Sequence, residues 1–139
     1  MKNATDLDQS RVLKKILLPE SADVCWTNHL FNNILSSWRI ESTPPTEYKN
    51  LLDYYYVQGY LIEPAWSLDA LFGVLPTTIG NFFEKNALRL RMDKGENDFN
   101  IWYENFDYGD VAEGLDVIKD NPVDACYEMI IKLHELKLI

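Results

Sequence analysis

Cys25 and His29 stand at C-x3-H spacing, and Cys126 and His134 at C-x7-H spacing. Two thiolates and two imidazoles are a donor set that holds structural zinc. Cys126 and His134, however, lie on a segment that reads as helix. They are more than two turns apart there, so one ion does not reach both. A Cys–His nucleophile pair would need an activated thiolate, and no Gly-rich strand-to-helix turn flanks either cysteine. Buried thiols and surface imidazoles are the expectation. No catalytic residue, metal ligand or cofactor is assigned.

The carboxylates Asp107, Asp110, Glu113 and Asp116 recur every third residue. A calcium loop of the EF-hand type needs acids at alternate positions, a glycine at the sixth and a glutamate at the twelfth, which this string does not supply. A pair of carboxylates can do acid–base work, but no partner singles out any two of these. They are expected in a solvated loop. The chain has no P-loop, GxGxxG, HExxH or GxSxG motif, which removes the common nucleotide, metalloprotease and hydrolase readings.

Two further groups suit binding. Arg89, Arg91 and Trp102 fall on one face of an expected hairpin, and Arg and Trp are common anchors of protein interfaces. Tyr54, Tyr56, Tyr60 and Trp66 can line an aromatic pocket for a small ligand.

Composition bounds the partners. The net charge is −9, against direct nucleic-acid binding, which needs clustered Lys and Arg to neutralise phosphates. Hydrophobic residues make up 47%, enough for a core. No run approaches a membrane span, and Met1–Ser10 has no apolar stretch of the secretory kind. Two cysteines do not make a disulfide framework, so a cytoplasmic setting is expected.

The elements that must position these residues follow from pattern. A helix is expected over Asp6–Leu17, capped by Thr5 or Asp6 and stopped by Pro19, with Leu13, Ile16 and Leu17 inward. Val24 and Trp26 alternate as a short strand. Asn28–Ser42 fits a helical face through Leu30, Phe31, Ile34, Leu35 and Trp38, although Ile34–Glu41 also suits a strand. Glu47–Gly59 is two-faced, a capped helix by periodicity or a strand by its Tyr54–Val57 run. Tyr60–Ile62 reads as extended. Ser67 caps a short helix, Leu68–Leu75, ended by Pro76.

Asn86–Tyr103 is a hairpin with Asp93–Asp98 as its turn and Gly95 free to take a positive φ. Pairing Met92 with Phe99, Leu90 with Ile101 and Leu88 with Tyr103 puts all six on one face and sets Arg89 opposite Trp102, a cation–π geometry. Arg89 and Glu104 would blunt the hairpin edge. Phe106–Asp120 is an acidic connection with a short strand near Val111 or Leu115–Ile118. Asn121, Pro122 and Asp124 open a final amphipathic helix whose stripe runs through Val123, Cys126, Ile130, Leu133 and Lys137.

The segments Pro64-Ala65-Trp66-Ser67-Leu68-Asp69-Ala70-Leu71, Val74-Leu75-Pro76 and Asn121-Pro122-Val123-Asp124-Ala125-Cys126-Tyr127-Glu128-Met129-Ile130 together resemble small uncharacterised proteins common in Bacteroides-like genomes and prophage-related gene islands. The resemblance covers roughly the second half of the chain. It implies fold and a mobile-element provenance, and attaches no activity.

The reading is one α+β domain over residues 1–139. A small antiparallel sheet with a central hairpin is packed on one face by three helices. The leading function is a non-enzymatic protein-interaction or accessory module, monomeric or homodimeric, with a protein partner. A small-ligand domain or small enzyme using the tyrosines and Trp66 is the second reading. An acidic nucleic-acid mimic using Glu104–Asp120 is the third.

Overall fold

The computed structural model describes residues 2–31, 34–35, 37–42, 60–80 and 86–139, with 29–31, 34–35 and 60 as strand backbone. The α+β class stands, with its β structure divided between two antiparallel sheets. The chain forms two compact units, Asn3–Ala70 and Leu71–Ile139 with Met1–Lys2. The expected elements of Glu47–Gly59, and with them Tyr54 and Tyr56, lie outside the described residues.

In the first unit, helix α1 (Leu7–Leu13) is capped by Asp6, whose carboxylate accepts from the Gln9 N–H while the Gln9 side chain accepts from the Asp6 N–H. This reciprocal box satisfies two orphan donors. It leaves Thr5, the other expected cap, for the core. Thr5 is wholly buried; its N–H donates to the Trp66 carbonyl, and its hydroxyl bonds Ser10 and accepts from the Trp66 N–H. The helix is shorter than expected: after Leu13 the Lys15 and Ile16 N–H groups bond three residues back, to Val12 and Leu13, and the regular α ladder is broken. Only Leu13 of the three expected inward residues is buried.

Strand β1 (Val24–Phe31) is central, pairing with β2 (Ile34–Leu35), β3 (Arg39–Ser42) and β4 (Tyr60–Ala65). The helix expected over Asn28–Ser42 is therefore corrected to strand at residues 28–31, 34–35 and 39–42. Apolar pairs at 30–31 and 34–35 fit a helical face and a hairpin equally, and Asn32 and Asn33 between them in the sequence are turn formers rather than helix formers. β4 also runs through Pro64, where a strand was expected to stop. Pro64 lies opposite Cys25, and proline is accommodated on an edge strand. α1 packs on β4, with Lys14 reaching Glu63 at 2.9 Å.

Helix α2 (Leu68–Val74) carries the expected Ser67 cap: its hydroxyl accepts from the Ala70 N–H. Asp23 fixes Ser67 through both its N–H and its hydroxyl.

The second unit holds strands β5 (Thr78–Ile79), β6 (Leu88–Lys94), β7 (Phe99–Asn105) and β8 (Val111–Lys119), hydrogen-bonded in that order. Helix α3 (Pro122–Glu135) begins as expected, with the Asn121 side chain accepting from the Asp124 N–H. Val123, Cys126, Met129, Ile130 and Leu133 are all fully buried, as are Ile101 and Tyr103 of β7. α3 packs on β8 and β7. The helix stops at Glu135 because Lys137 takes φ 57°. Leu138 and Lys137 then donate back to the carbonyls of Leu133 and His134, which satisfies the last turn.

The hairpin register is two residues from the expected one. Leu90 faces Tyr103, Met92 faces Ile101 and Lys94 faces Phe99. An even shift keeps every side chain on its face. It shortens the turn to four residues, closed by Gly95 N–H donating to the Asp98 carbonyl. Gly95 has no positive φ; a Cβ there would meet the Asp98 carboxylate, the end of an exposed side chain that would have to turn aside. Neither β6 nor β7 is an edge, so the expected blunting role of Arg89 and Glu104 gives way to pairing between them.

Candidate functional site

β7 reads Phe-Asn-Ile-Trp-Tyr-Glu-Asn. Period two sends Phe99, Ile101 and Tyr103 toward α3 and leaves Asn100, Trp102 and Glu104 on the opposite face. From β6 the register adds Arg89 beside Glu104 and Arg91 beside Trp102. The expected trio Arg89, Arg91 and Trp102 is thus gathered on one open face.

Glu104 organises this face. One carboxylate oxygen accepts from Arg89 Nε at 2.8 Å and faces Arg91 Nε at 3.3 Å. The other accepts from the Trp102 indole N–H at 3.3 Å. Only 9% of the residue is exposed. The Arg89 hydrogen bond holds its pKa below the usual carboxylate range, against a smaller opposing effect of burial; Trp102 and the two guanidinium charges add to the lowering. The expected Arg89–Trp102 cation–π pair is replaced: Arg89 lies over the Phe106 ring at 5.3 Å, and Trp102 points its N–H at Glu104.

The acidic connection turns out to be largely strand. Trp102 pairs with Asp116 but Glu104 pairs with Val111, so three extra residues of β8 are looped out between two positions of β7. Such a bulge bends a strand away from its partner. Gly114, at φ 75°, supplies the left-handed residue it requires. The displaced backbone frames a concavity of about 650 Å³ lined by Asn100, Trp102 and Glu104 from β7, residues 111–114, and Asp116 from β8. Asn100 is on its lining, and the side-chain oxygen of that residue is buried with no hydrogen-bond partner among the described residues. Val111 and Ile118 of the same strand are exposed large hydrophobics.

The loop before β8 is ordered by Asn105, whose side chain accepts from the Asp107 and Tyr108 N–H groups. Asp107, Asp110, Glu113 and Asp116 are all exposed as expected, but the last two belong to β8 and to the concavity. The signal for this lay in Leu115 and Val117, both buried and alternating with Asp116 and Ile118. Gly114 interrupts the alternation, which disguises the strand.

The other expected residues do not join this site. Trp66 is fully buried, with its indole N–H donating to Ser21 at 2.9 Å; it is a core residue and offers no open ring. Tyr60 lies in β4 opposite His29. Cys25 and Cys126 are buried free thiols. Burial pushes the Cys126 thiol up to about 12, while His134 on the same helix is exposed, so the two do not form a pair. Among the described residues no three His, Cys, Asp or Glu side chains are grouped to hold a metal ion. No described helix is long and apolar enough to cross a membrane.

No protein-family model, no curated protein and no solved structure matches this chain.

Proposed function

We propose that the chain is a non-enzymatic protein-interaction or accessory module acting in the cytoplasm, and that the open face of the β5–β8 sheet is its contact surface. One observation carries the reading: the buried carboxylate at the centre of that face is fully paired. Glu104 spends both oxygens on Arg89, Arg91 and Trp102, and its pKa is displaced downward. A general acid or base needs the opposite displacement, toward neutrality. What the face offers instead is a fixed array of Trp, Arg and exposed aliphatic groups, the composition of an interface. A mobile-element provenance rests on the likeness of the Pro64–Pro76 and Asn121–Ile130 segments alone.

The test is a tagged pull-down from native lysate with mass spectrometry, run beside light scattering on the purified protein. The expected result is one stoichiometric protein partner, retained by the wild type and lost with Trp102→Ala. A clean monomer or homodimer that retains no partner overturns the reading and moves the weight to a small ligand in the same concavity, whose volume lies in the range of ligand sites.

A further inference from the structure

We propose that the concavity beside β8 seats a single arginine side chain from a basic segment of the partner. The proposal rests on the interaction reading and names what that interaction recognises.

The two ionisable side chains left free to meet an occupant, Glu113 and Asp116, are acceptors. Asn100 is on the lining of the concavity; its side-chain oxygen is buried and unpartnered among the described residues, and a buried acceptor left unpaired costs free energy. Glu113 and Asp116 border the same space and are exposed. Trp102 lines it with an indole whose N–H is already committed to Glu104, so the ring is held in one orientation. A guanidinium answers all three features. It carries five N–H donors and no acceptor, it stacks flat on an aromatic face, and its planar fork matches a carboxylate better than an ammonium does.

The two arginines already on this face are outnumbered by the acids that line the concavity, Glu104, Glu113 and Asp116. Arg89 and Arg91 come from β6, on the far side of β7 from β8, and both pair with Glu104. Further along the chain Asp107, Asp110 and Asp120 add negative charge on either flank of β8, and the whole chain carries −9. That field attracts a basic segment and disfavours a second copy of this chain.

The test is an NMR titration of the full chain at low salt with four capped pentapeptides. Each has threonines flanking a central arginine, citrulline, lysine or glutamate. The expected result is shifts centred on the Trp102 indole N–H and on residues 100–104 and 111–116. The arginine peptide should bind roughly tenfold tighter than its neutral citrulline counterpart. Glu113→Gln with Asp116→Asn, both exposed and safe for folding, should weaken the arginine peptide by a similar factor. Trp102→Phe should weaken it roughly threefold.

Equal binding of the citrulline peptide, preference for lysine or glutamate, shifts elsewhere, or no shift at millimolar peptide each overturns the arginine seat. A protein partner retained equally by wild type and by Asp116→Lys overturns the seat while leaving the interaction reading intact. Loss of every partner overturns that reading first.

Discussion

The two faces of the β5–β8 sheet are built from the same strands by the same alternation, and they behave oppositely. Toward α3, Ile101, Tyr103, Leu115 and Val117 are each at most 3% exposed. On the other side Trp102, Glu104, Asp116 and Ile118 are interleaved with them one residue apart, and Ile118 is 60% exposed. The inner face is fixed by packing density, and the outer one by a single carboxylate with three donors. A side chain can therefore be held in place without being in the core, which is what a recognition surface needs.

The largest way to break the comparison is on the packed side. Ile101→Ala should destabilise by about 2–5 kcal/mol, because a fully buried side chain loses its contacts and leaves a cavity under α3. Chemical denaturation at equilibrium measures it. Cys126 gives an independent reading of the same face. A thiol that is buried and raised to about 12 should react with iodoacetamide only through opening of the unit. Its labelling should therefore accelerate in Ile101→Ala in step with the lost stability. Fast labelling in the wild type would show that α3 is not closed on the sheet.

Next in size is the hub. Glu104→Gln should keep the Trp102 contact and lose the attraction to both guanidinium groups. The pKa of Glu104 is lower folded than unfolded, where the ordinary value is 4.5. Its contribution is thus complete above about pH 4.5 and disappears as pH falls through the lowered folded-state value. Thermal unfolding of wild type and variant across pH should show a gap that is constant near neutrality and closes on acidification. A gap independent of pH would mean that Arg89 and Arg91 do not act through the ionised carboxylate.

These contrasts also mark what was legible in advance. Short-range physics was readable: the Asp6 and Asn121 caps, the Ser67 cap, the stripe of α3 and the two faces of the hairpin all depend on residues within a few positions of each other. The open-face trio Arg89, Arg91 and Trp102 followed from period two alone. What escaped depends on pairing across distance. The register differs by two because it is set by which residues pair across β6 and β7, and an even shift leaves both faces unchanged, so alternation does not choose between the two. The Asn28–Ser42 segment was misread because its apolar spacing satisfies helix and hairpin together. The concavity was invisible because it exists only where β8 bulges against β7, and its acids looked like a loop. Trp66 looked available because nothing in its neighbourhood announced Thr5, sixty-one positions away.

Gly114 tests whether the bulge is a constructed feature. Nothing lies within 4 Å of where its Cβ would sit, so Gly114→Ala meets no steric obstacle. The cost is confined to the backbone, which sits at φ 75°, a region that disfavours L-residues by about 1–2 kcal/mol. The expected outcome is a loss of that size in denaturant unfolding, with amide shifts spreading from residues 111–116 to Trp102. A neutral substitution would mean that the bulge relaxes freely, and the concavity would then have no fixed shape to recognise anything.

The smallest effect is the sharpest comparison, because it sets one isoleucine against another in a single sheet. Ile118→Thr should change stability by less than about 0.5 kcal/mol, as expected for a surface position that keeps a β-branched side chain in a strand. Ile118→Ala made beside it matches the Ile101→Ala substitution while burial differs, so the difference in cost between those two measures covering. If Ile118→Thr approaches the cost of Ile101→Ala, something covers the outer face in solution, and light scattering on the same sample identifies it as a second copy or leaves the chain's own remaining segments. If it is neutral in stability yet weakens partner retention in the pull-down, exposure of an isoleucine at this place has no folding purpose and is accounted for by contact with the partner.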